Sequence, residues 1–305
     1  MTRAKFLVMV SAIVMACSVV LGAGTASASV PWWPPQLPPL SALPLPEPIA
    51  KLLRPPAPPP NTLTSGFVTL QRSMLGPLAG QVGLALAPIG TDRVISMGTL
   101  KTARAWSTLK VPIALAAQRK YGSSVALKED KAITLSDNDA AGDLWGSLGG
   151  GLVSVGAVTA VLREGHDMRT RVSSEADWPP SYPGYTPWAL VDQARFGAHL
   201  PCMAGSDDLI RLMSEVAPGQ QWGIASTGHN QGAITAVKGG WGPATDASPA
   251  DVVRQLGIIT TTRGQVAVSM AALPASGRFD DGTTMLTQIG NWLGRNLEQL
   301  PFGRC

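Results

Sequence analysis

The chain has 305 residues, of which 45% are apolar and only 14% are charged. Its length and apolar content suffice for a sizeable core, and the charged fraction is low for a cytosolic globular protein. The formal net charge of +4 falls to +2 without the first 28 residues, which contain two basic residues and no acid. A charge that small gives no reason to expect nucleic acid as a partner.

The first 28 residues are typical of a secretory signal peptide. Arg3 and Lys5 precede an apolar run that begins at Phe6, and Ala26-Ser27-Ala28 is a small-x-small cleavage pattern. We therefore predict that the mature chain begins near Ser29 and is secreted into the extracytoplasmic cell envelope. Beyond this segment the sequence contains no transmembrane run.

Cys17 leaves a lipid anchor as the alternative. Val14-Met15-Ala16-Cys17 is close to the pattern of small residues before cysteine that directs bacterial lipidation, although Met15 fits it badly. The residues after Cys17 prolong the apolar stretch, where a polar tether is typical of a lipidated protein.

Residues 29–61 predict a stiff spacer. Residues 31–60 hold 13 of the 26 prolines, and proline has no backbone N–H with which to join a sheet or continue a helix. At about 3.1 Å per residue in polyproline II, the segment would span on the order of 90 Å. That length suits association with a cell wall or membrane surface, and docking through Trp32 and Trp33 is the alternative.

From residue 62 the pattern changes to that of a folded domain, 62–305. Apolar spacing predicts a first helix, two strands near the start, three strands in the last third and a closing helix. The α/β part is predicted from residues 62–110 and 223–305, with a helical part at 111–222 inserted between them. The predicted elements are a helix at 62–74, strands at 82–86, 94–95, 233–237, 256–261 and 265–273, and a helix at 285–297.

Ser107 and Lys110 predict a serine acyl-transfer site at the start of a helix. A lysine three residues after a serine lies on the same helix face, close enough to take the hydroxyl proton. The helix N-terminus aims free N–H groups and the positive end of its dipole at the reacting centre, which favours an oxyanion. An ordinary helix cap followed by a solvated lysine is the alternative.

Two later segments supply the remaining chemistry. In Ser136-Asp137-Asn138, a second hydroxyl can relay a proton to a leaving amine, and an amide can hold a substrate amide. In Lys238-Gly239-Gly240, a cation stands at the end of a strand-like run, and two glycines let a substrate backbone approach closely. Taken alone, the first segment is a common capping turn and the second a common strand end.

The three segments, in this order, resemble the SxxK, SDN and KTG boxes of the penicillin-recognising serine hydrolases, meaning class A β-lactamases and D,D-peptidases. The resemblance covers about residues 62 to 300. It implies a β-lactamase-like fold, with an antiparallel sheet, flanking helices and an inserted all-helical subdomain.

The resemblance also implies roles for single residues. The catalytic residues are Ser107, Lys110, Ser136 and Lys238, and the substrate-binding residues are Asn138, Gly240 and Trp241. The oxyanion hole would be the N–H groups of Ser107 and Trp241. The implied partner is a β-lactam or a peptidoglycan-like peptide; we expect no cofactor and a monomer.

Two departures from the family pattern bear on activity. Gly239 stands where the family has threonine or serine, so one hydroxyl contact to a substrate carboxylate is missing. The glutamate that deacylates class A enzymes has no clean match, and Glu175 is only a weak candidate because the surrounding spacing differs.

Cys202 and Cys305 are the two cysteines that remain after signal cleavage. Export permits a disulfide between them, with two free thiols as the alternative. The bridge would close a loop of about 100 residues and contribute roughly 4 kcal/mol in the chain-entropy model.

The three histidines, His166, His199 and His229, show no ligand spacing. The sequence therefore predicts no metal site.

Two functions follow from these patterns. The first is an exported serine hydrolase that forms an acyl-enzyme at Ser107 with β-lactams or D-Ala-D-Ala-like peptides. The second is a catalytically degenerate, β-lactamase-like protein that binds cell-envelope material without turnover.

Overall fold

A five-stranded antiparallel sheet organises the part of the chain that the computed structural model describes, residues 62–226 and 232–305. The predicted signal peptide, Cys17 and the proline-rich spacer lie outside these residues. The strand order is β2-β1-β7-β6-β5, so β5 is an edge strand. The strands are β1 Gly80–Pro88, β2 Ile95–Gly98, β5 Ile234–Thr245, β6 Ser248–Thr261 and β7 Gly264–Pro274.

Both faces of this sheet are buried, and alternate residues of each strand serve the two faces. On β1, Val82, Leu84 and Leu86 belong to one apolar cluster, and Ala85 and Ala87 belong to another. The first cluster includes helices α1 (Thr62–Ser73) and α8 (Phe279–Arg295), and the second includes α6 (Leu190–His199). The alternating residues of β1 therefore pack against helices on both sides of the sheet.

The inserted part between β3 and β5 is mainly helical. Its helices bury a third apolar cluster that also includes Ala236 of β5 and Leu256 of β6. A short antiparallel pair, β3 (Thr102–Arg104) with β4 (Pro187–Ala189), was not predicted from the sequence. The remaining helices are α2 Lys110–Tyr121, α3 Ala126–Asp130, α4 Asn138–Leu148, α5 Gly151–Glu164 and α7 Ser206–Ser214.

The C-terminal hairpin and the two terminal helices were predicted correctly, and the antiparallel sheet with flanking helices is confirmed. The prediction that β5 ends near Lys238 is wrong. The strand continues to Thr245, so Lys238, Gly239 and Gly240 lie in its interior. Glycine has a low strand propensity, but at these positions the absence of a side chain lets neighbouring groups approach the strand.

The predicted disulfide between Cys202 and Cys305 is present, with a Cα–Cα distance of 5.4 Å. It fixes the last residue of the chain beside the end of α6. Gly303 also pairs with Gln265 of β7 through two backbone hydrogen bonds of 2.9 Å. The C-terminal residues are therefore tied to both a helix and the sheet.

Among the described residues, no single helix is long and apolar enough to cross a membrane. Helices α4 and α5 meet the length and composition criteria only as a pair, and they are bent by 97° at the break between them.

Candidate active site

Ser107 lies in a tight turn between the small sheet and helix α2. Residues Trp106–Leu109 form a 3₁₀ turn, and the α-helix proper begins at Lys110. Trp106 has a φ of 47°, a left-handed conformation that costs energy for a residue with a side chain. Such outliers persist where the surrounding structure enforces them, often at functional sites. Ser107 itself is partly exposed.

Lys110 joins the first predicted segment to the second. Its Nζ donates hydrogen bonds to the carbonyl oxygens of Ser136 and Asp137, at 2.5 and 3.1 Å, and to Asn138 Oδ1, at 2.7 Å. It also lies 3.4 Å from Ser136 Oγ. Among the described residues no hydrogen bond joins Lys110 to Ser107, so Lys110 must reorient or release a proton before it can accept one.

Burial tunes Lys110 toward that role. The residue is 6% exposed, and desolvation lowers the pKa of its ammonium group to about 8, against the opposing effect of the Asp137 charge. A lysine with a pKa near ambient pH carries a useful fraction of the neutral amine that can act as a base.

Ser136 is held in place by an unusual backbone. A π-helical turn at Lys131–Leu135 ends at Ser136, whose φ of 60° and ψ of 29° are left-handed. Asp137 then caps helix α4, because its Oδ1 accepts a hydrogen bond of 2.7 Å from Ala140 N. This sharp reversal turns the Ser136 carbonyl toward Lys110 and its hydroxyl toward β5.

Lys238 reaches the same hydroxyl from the sheet. Its Nζ donates to Ser136 Oγ at 2.8 Å and to the Gly239 carbonyl at 3.0 Å. Lys238 is fully buried, and desolvation and the charge of Lys110 together hold its pKa well below the usual value. No carboxylate hydrogen-bonds to either lysine among the described residues. Two buried lysines with no anionic partner favour the binding of an anion between them, because an anion would stabilise their charged forms.

Gly240 brings strand β5 against the Ser107 turn. A Cβ added at Gly240 would lie 2.9 Å from both Ser107 N and the Ala105 carbonyl oxygen. Only glycine permits this approach, which places the β5 backbone beside the proposed nucleophile. The Trp241 side chain packs against Phe279, with ring centroids 5.0 Å apart.

The departure at Gly239 has a steric cause. A Cβ at this position would lie 2.5 Å from the indole of Trp222, which is 8% exposed. Trp222 therefore occupies the space that a threonine or serine side chain would need. No pattern in the sequence indicated that a tryptophan from a distant segment would fill the space beside Gly239.

Gly239→Thr is expected to lower the free energy of unfolding by about 1–3 kcal/mol, because the added side chain overpacks against Trp222. In the Trp222→Ala background, which makes room for the threonine, the same substitution should cost less. Urea denaturation of the two variants and of Trp222→Ala alone checks this; equal stability of Gly239→Thr and the natural protein would contradict it.

Glu175 is not brought to the lysines. Its Oε1 accepts hydrogen bonds from Gly151 N at 2.7 Å and from Trp145 Nε1 at 3.2 Å, where α4 and α5 meet. Hydrogen bonds from its own backbone N–H and from that of Gly151 hold the pKa of Glu175 below its usual value. An ionised carboxylate bonded in this way braces the helix junction, and among the described residues it makes no hydrogen bond to Ser107 or Lys110.

A buried polar network beneath the Ser107 turn was missed in the sequence. Arg254, on β6 opposite Gly240, is fully buried and donates to the carbonyls of Ala103 (2.7 Å), Arg104 and Trp188 (both 3.2 Å) and to Gln193 Oε1 (2.8 Å). Burial lowers the pKa of Arg254 to about 9, so it remains cationic at neutral pH.

Gln193 connects this cation to the SxxK segment. Its Nε2 donates to Thr108 Oγ1 at 2.9 Å, and Thr108 Oγ1 donates to the Ala105 carbonyl at 2.6 Å. Ser269 Oγ completes the network with a bond of 2.6 Å to Gln193 Oε1. The residue after Ser107 is therefore hydrogen-bonded, through a glutamine, to both central strands of the sheet.

The aromatic residues that the sequence places near 178–188 divide into two groups. Trp188 is fully buried and donates to Asp167 Oδ2 at 2.8 Å, so it is a core residue. Tyr185 contacts Trp106 edge to face, with centroids 5.1 Å apart, and Tyr182 contacts Tyr185 at 5.4 Å. Trp178 is 95% exposed. The Tyr182–Tyr185–Trp106 row leads to the Ser107 turn and forms an aromatic wall beside it.

Comparisons with known proteins support the fold alone. No protein-family model and no curated protein matches the chain. Solved structures do match: the ancestral GNCA class A β-lactamase has a TM-score of 0.56 and 20% identity and covers 77% of this chain and 99% of its own. A β-lactamase from Sphaerobacter thermophilus has a TM-score of 0.57 and 17% identity, over 78% and 98% of the two chains.

PBP-A has a TM-score of 0.58 and 19% identity, over 80% of this chain and 99% of its own. The chain therefore has the mixed helix and antiparallel-sheet fold of class A β-lactamases and PBP-A. The resemblance predicted from the sequence is confirmed at the level of the fold.

Proposed function

We propose that the chain is an exported serine hydrolase that forms an acyl-enzyme at Ser107 with β-lactams or with peptides that end in D-Ala-D-Ala. The observation that carries this proposal is the hydrogen-bonded set of Lys110, Ser136, Asn138 and Lys238 beside the backbone of Ser107. The fold shared with class A β-lactamases and PBP-A supports it.

Acylation uses three proton transfers. Ser107 Oγ bonds to the substrate carbonyl carbon while its proton passes to the neutral amine of Lys110, and the carbonyl oxygen becomes an oxyanion held by the N–H groups of Ser107 and Trp241. The C–N bond then breaks. The leaving nitrogen takes a proton from Ser136 Oγ, which regains one from the lysines on either side of it.

Substrate charge fits the same site. Lys238 favours a substrate with a carboxylate next to the scissile amide, as in a penicillin or a terminal D-Ala, because that charge would stabilise the Lys238 ammonium while Lys110 acts as the neutral base. Because Trp222 excludes a hydroxyl at position 239, one donor to that carboxylate is missing. We expect weaker ground-state binding than in a site with the full third box.

Deacylation is the slow step in this proposal. Release of the acyl group needs a water molecule and a base, and Glu175 is bonded to Gly151 and Trp145 away from the lysines. The acyl-enzyme is therefore expected to persist, which suits a penicillin-binding peptidase better than a fast β-lactamase.

Intact mass spectrometry after exposure to a penicillin tests the proposal. The mature protein is expected to gain the mass of one intact penicillin, retained over minutes to hours, and peptide mapping should place it on Ser107. A mature protein that stays at its original mass after prolonged exposure to several β-lactams and D-Ala-D-Ala-like esters would contradict it.

The rate of acylation is expected to rise about tenfold between pH 7 and pH 9, because neutral Lys110, with a pKa of about 8, is the base. The neutral amine predominates above the pKa, so the sign of the change is an increase with pH. Labelling with a fluorescent penicillin under second-order conditions measures it. Lys110→Arg, which stays protonated, should show a much lower rate without this rise, and a flat profile in the natural protein would exclude Lys110 as the base.

The degenerate binder remains the second candidate. Gly239 and the missing hydrogen bond between Lys110 and Ser107 favour it. A penicillin or peptidoglycan fragment that binds reversibly, with no adduct on the natural protein and no difference in the Ser107→Ala variant, would identify this function.

A further inference from the structure

Two of the three histidines meet at one carboxylate, which is not part of the candidate active site described above. Asp92 lies in the turn between β1 and β2, His166 follows α5, and His199 is the last residue of α6. His166 Nδ1 and His199 Nε2 each lie 2.8 Å from Asp92 Oδ1. One ligand atom from each of the three residues lies within 4.8 Å of the other two. These residues are far apart in the chain. The prediction of no metal site rested only on the absence of ligand spacing and could not detect them.

The three segments are fixed against one another by the backbone. Gly90 N donates to the Ala198 carbonyl at 2.9 Å, which ties the Asp92 turn to the end of α6. The carbonyl of Arg304 lies against Gly90, and the disulfide between Cys202 and Cys305 holds that C-terminal segment beside α6. The cluster is therefore preorganised and does not depend on three mobile loops.

The backbone of His166 is a second, independent observation. Its φ is 60°, so it adopts the left-handed conformation that usually belongs to glycine after a helix. Among the described residues other than glycine, only Trp106 and Ser136 share a positive φ, and both belong to the proposed active site. A histidine held in this conformation, with its ring on a shared carboxylate, indicates a role that glycine cannot fill.

We propose that Asp92, His166 and His199 form a binding site for a divalent transition-metal ion, with Zn²⁺ the best fit. Two imidazole nitrogens and a carboxylate oxygen are the donors that zinc prefers, at about 2.0–2.2 Å. Each ligating imidazole would carry its proton on the other ring nitrogen, and the metal would replace the two N–H···O contacts to Asp92.

The three ligand atoms lie close enough to share one ion, but the two imidazole rings must reorient to accept it. Ligand atoms of a tetrahedral zinc site lie about 3.4 Å apart, so the present contacts of 2.8 Å must open by a few tenths of an ångström. The rings are stacked, with centroids 3.7 Å apart and an angle of 23° between their planes, and they must splay so that the ion lies near both planes. The His166 side chain is 50% exposed and has room to rotate.

The fourth coordination position faces solvent. A surface cavity of about 350 Å³ adjoins Asp92 and His166 and is also lined by Arg163, Met168 and Arg195. The guanidinium of Arg163 bonds to the carbonyls of Asp167 and Thr170, and that of Arg195 bonds to Asp192. These two cations lower the affinity for a bare metal ion and favour an anion, such as hydroxide or a carboxylate, as its fourth ligand.

Calorimetric titration of Zn²⁺ into the tag-free, chelator-treated mature protein tests the site. One equivalent should bind, and His166→Ala, His199→Ala and Asp92→Asn should each weaken binding at least about tenfold. His229→Ala is the matched control and should bind as the natural protein does. Co²⁺ in place of Zn²⁺ should give the visible absorption of a four-coordinate ion.

His166→Gly separates a metal ligand from a structural histidine. Glycine relieves the left-handed backbone, so this variant should unfold at a temperature no lower than that of the natural protein, yet lose the rise in unfolding temperature that Zn²⁺ produces. The proposal is overturned if the natural protein binds no Zn²⁺ at about 100 µM, or if the three ligand variants bind it as tightly as His229→Ala. None of these outcomes depends on acylation of Ser107.

Discussion

Replacing Ser107 by alanine is expected to abolish covalent labelling by a penicillin, slowing it by at least about 10³-fold, because its hydroxyl is the proposed nucleophile, in the turn that lies against Gly240 of β5. The fold should be unaffected. Among the described residues no hydrogen bond reaches the Ser107 hydroxyl, so its removal leaves no buried partner unsatisfied. Intact mass and gel fluorescence measure the labelling, and urea denaturation measures the stability.

Ser123→Ala is the matched control, because Ser123 is exposed at the far end of α2. It should label at the rate of the natural protein. Unchanged labelling of Ser107→Ala would place the nucleophile elsewhere and would leave the Lys110–Ser136–Lys238 contacts without a catalytic explanation.

Arg254→Met is expected to lower the free energy of unfolding by about 3–5 kcal/mol, which corresponds to a fall in melting temperature of about 10 °C. The substitution leaves three carbonyl oxygens without their side-chain donor and removes one of the two donors to Gln193 Oε1. The loss of an unpaired buried charge offsets part of this cost, because Arg254 has no carboxylate partner.

The exposed arginine of the same hairpin provides the control. Arg263, in the turn between β6 and β7, has a side chain that is 48% exposed and pairs with Glu298. Arg263→Met should change stability by less than about 1 kcal/mol. Equal free energies of unfolding for the two variants would show that the network beneath the Ser107 turn contributes no more to stability than a solvated ion pair.

Local patterns predicted most of the elements of this fold. Burial of one face of an element sets the positions of its apolar residues in the sequence. It produces the period of two in residues 82–86 and 265–273 and the helical spacing of residues 285–297. The serine, lysine and asparagine boxes were found in the same way, because each depends on residues close together in the chain.

Contacts between distant segments produced no such pattern. Arg254 precedes the apolar run predicted as a strand, and its partners Ala103 and Gln193 lie 151 and 61 residues away from it along the chain. Trp222 fills the space beside Gly239, and two histidines converge on Asp92. Each of these three contacts can be recognised only from the tertiary structure, because its residues are distant in the chain and no local pattern connects them.

The bridge between Cys202 and Cys305 bears on how the protein must be produced. In a reducing cytoplasm the thiols would remain apart, and the last residues would be held by noncovalent contacts, among them the pairing of Gly303 with β7 and the bond from Arg304 to the Thr262 carbonyl. Preparations from that compartment are expected to mix reduced and oxidised molecules with different melting points. Oxidative secretion should yield a single species.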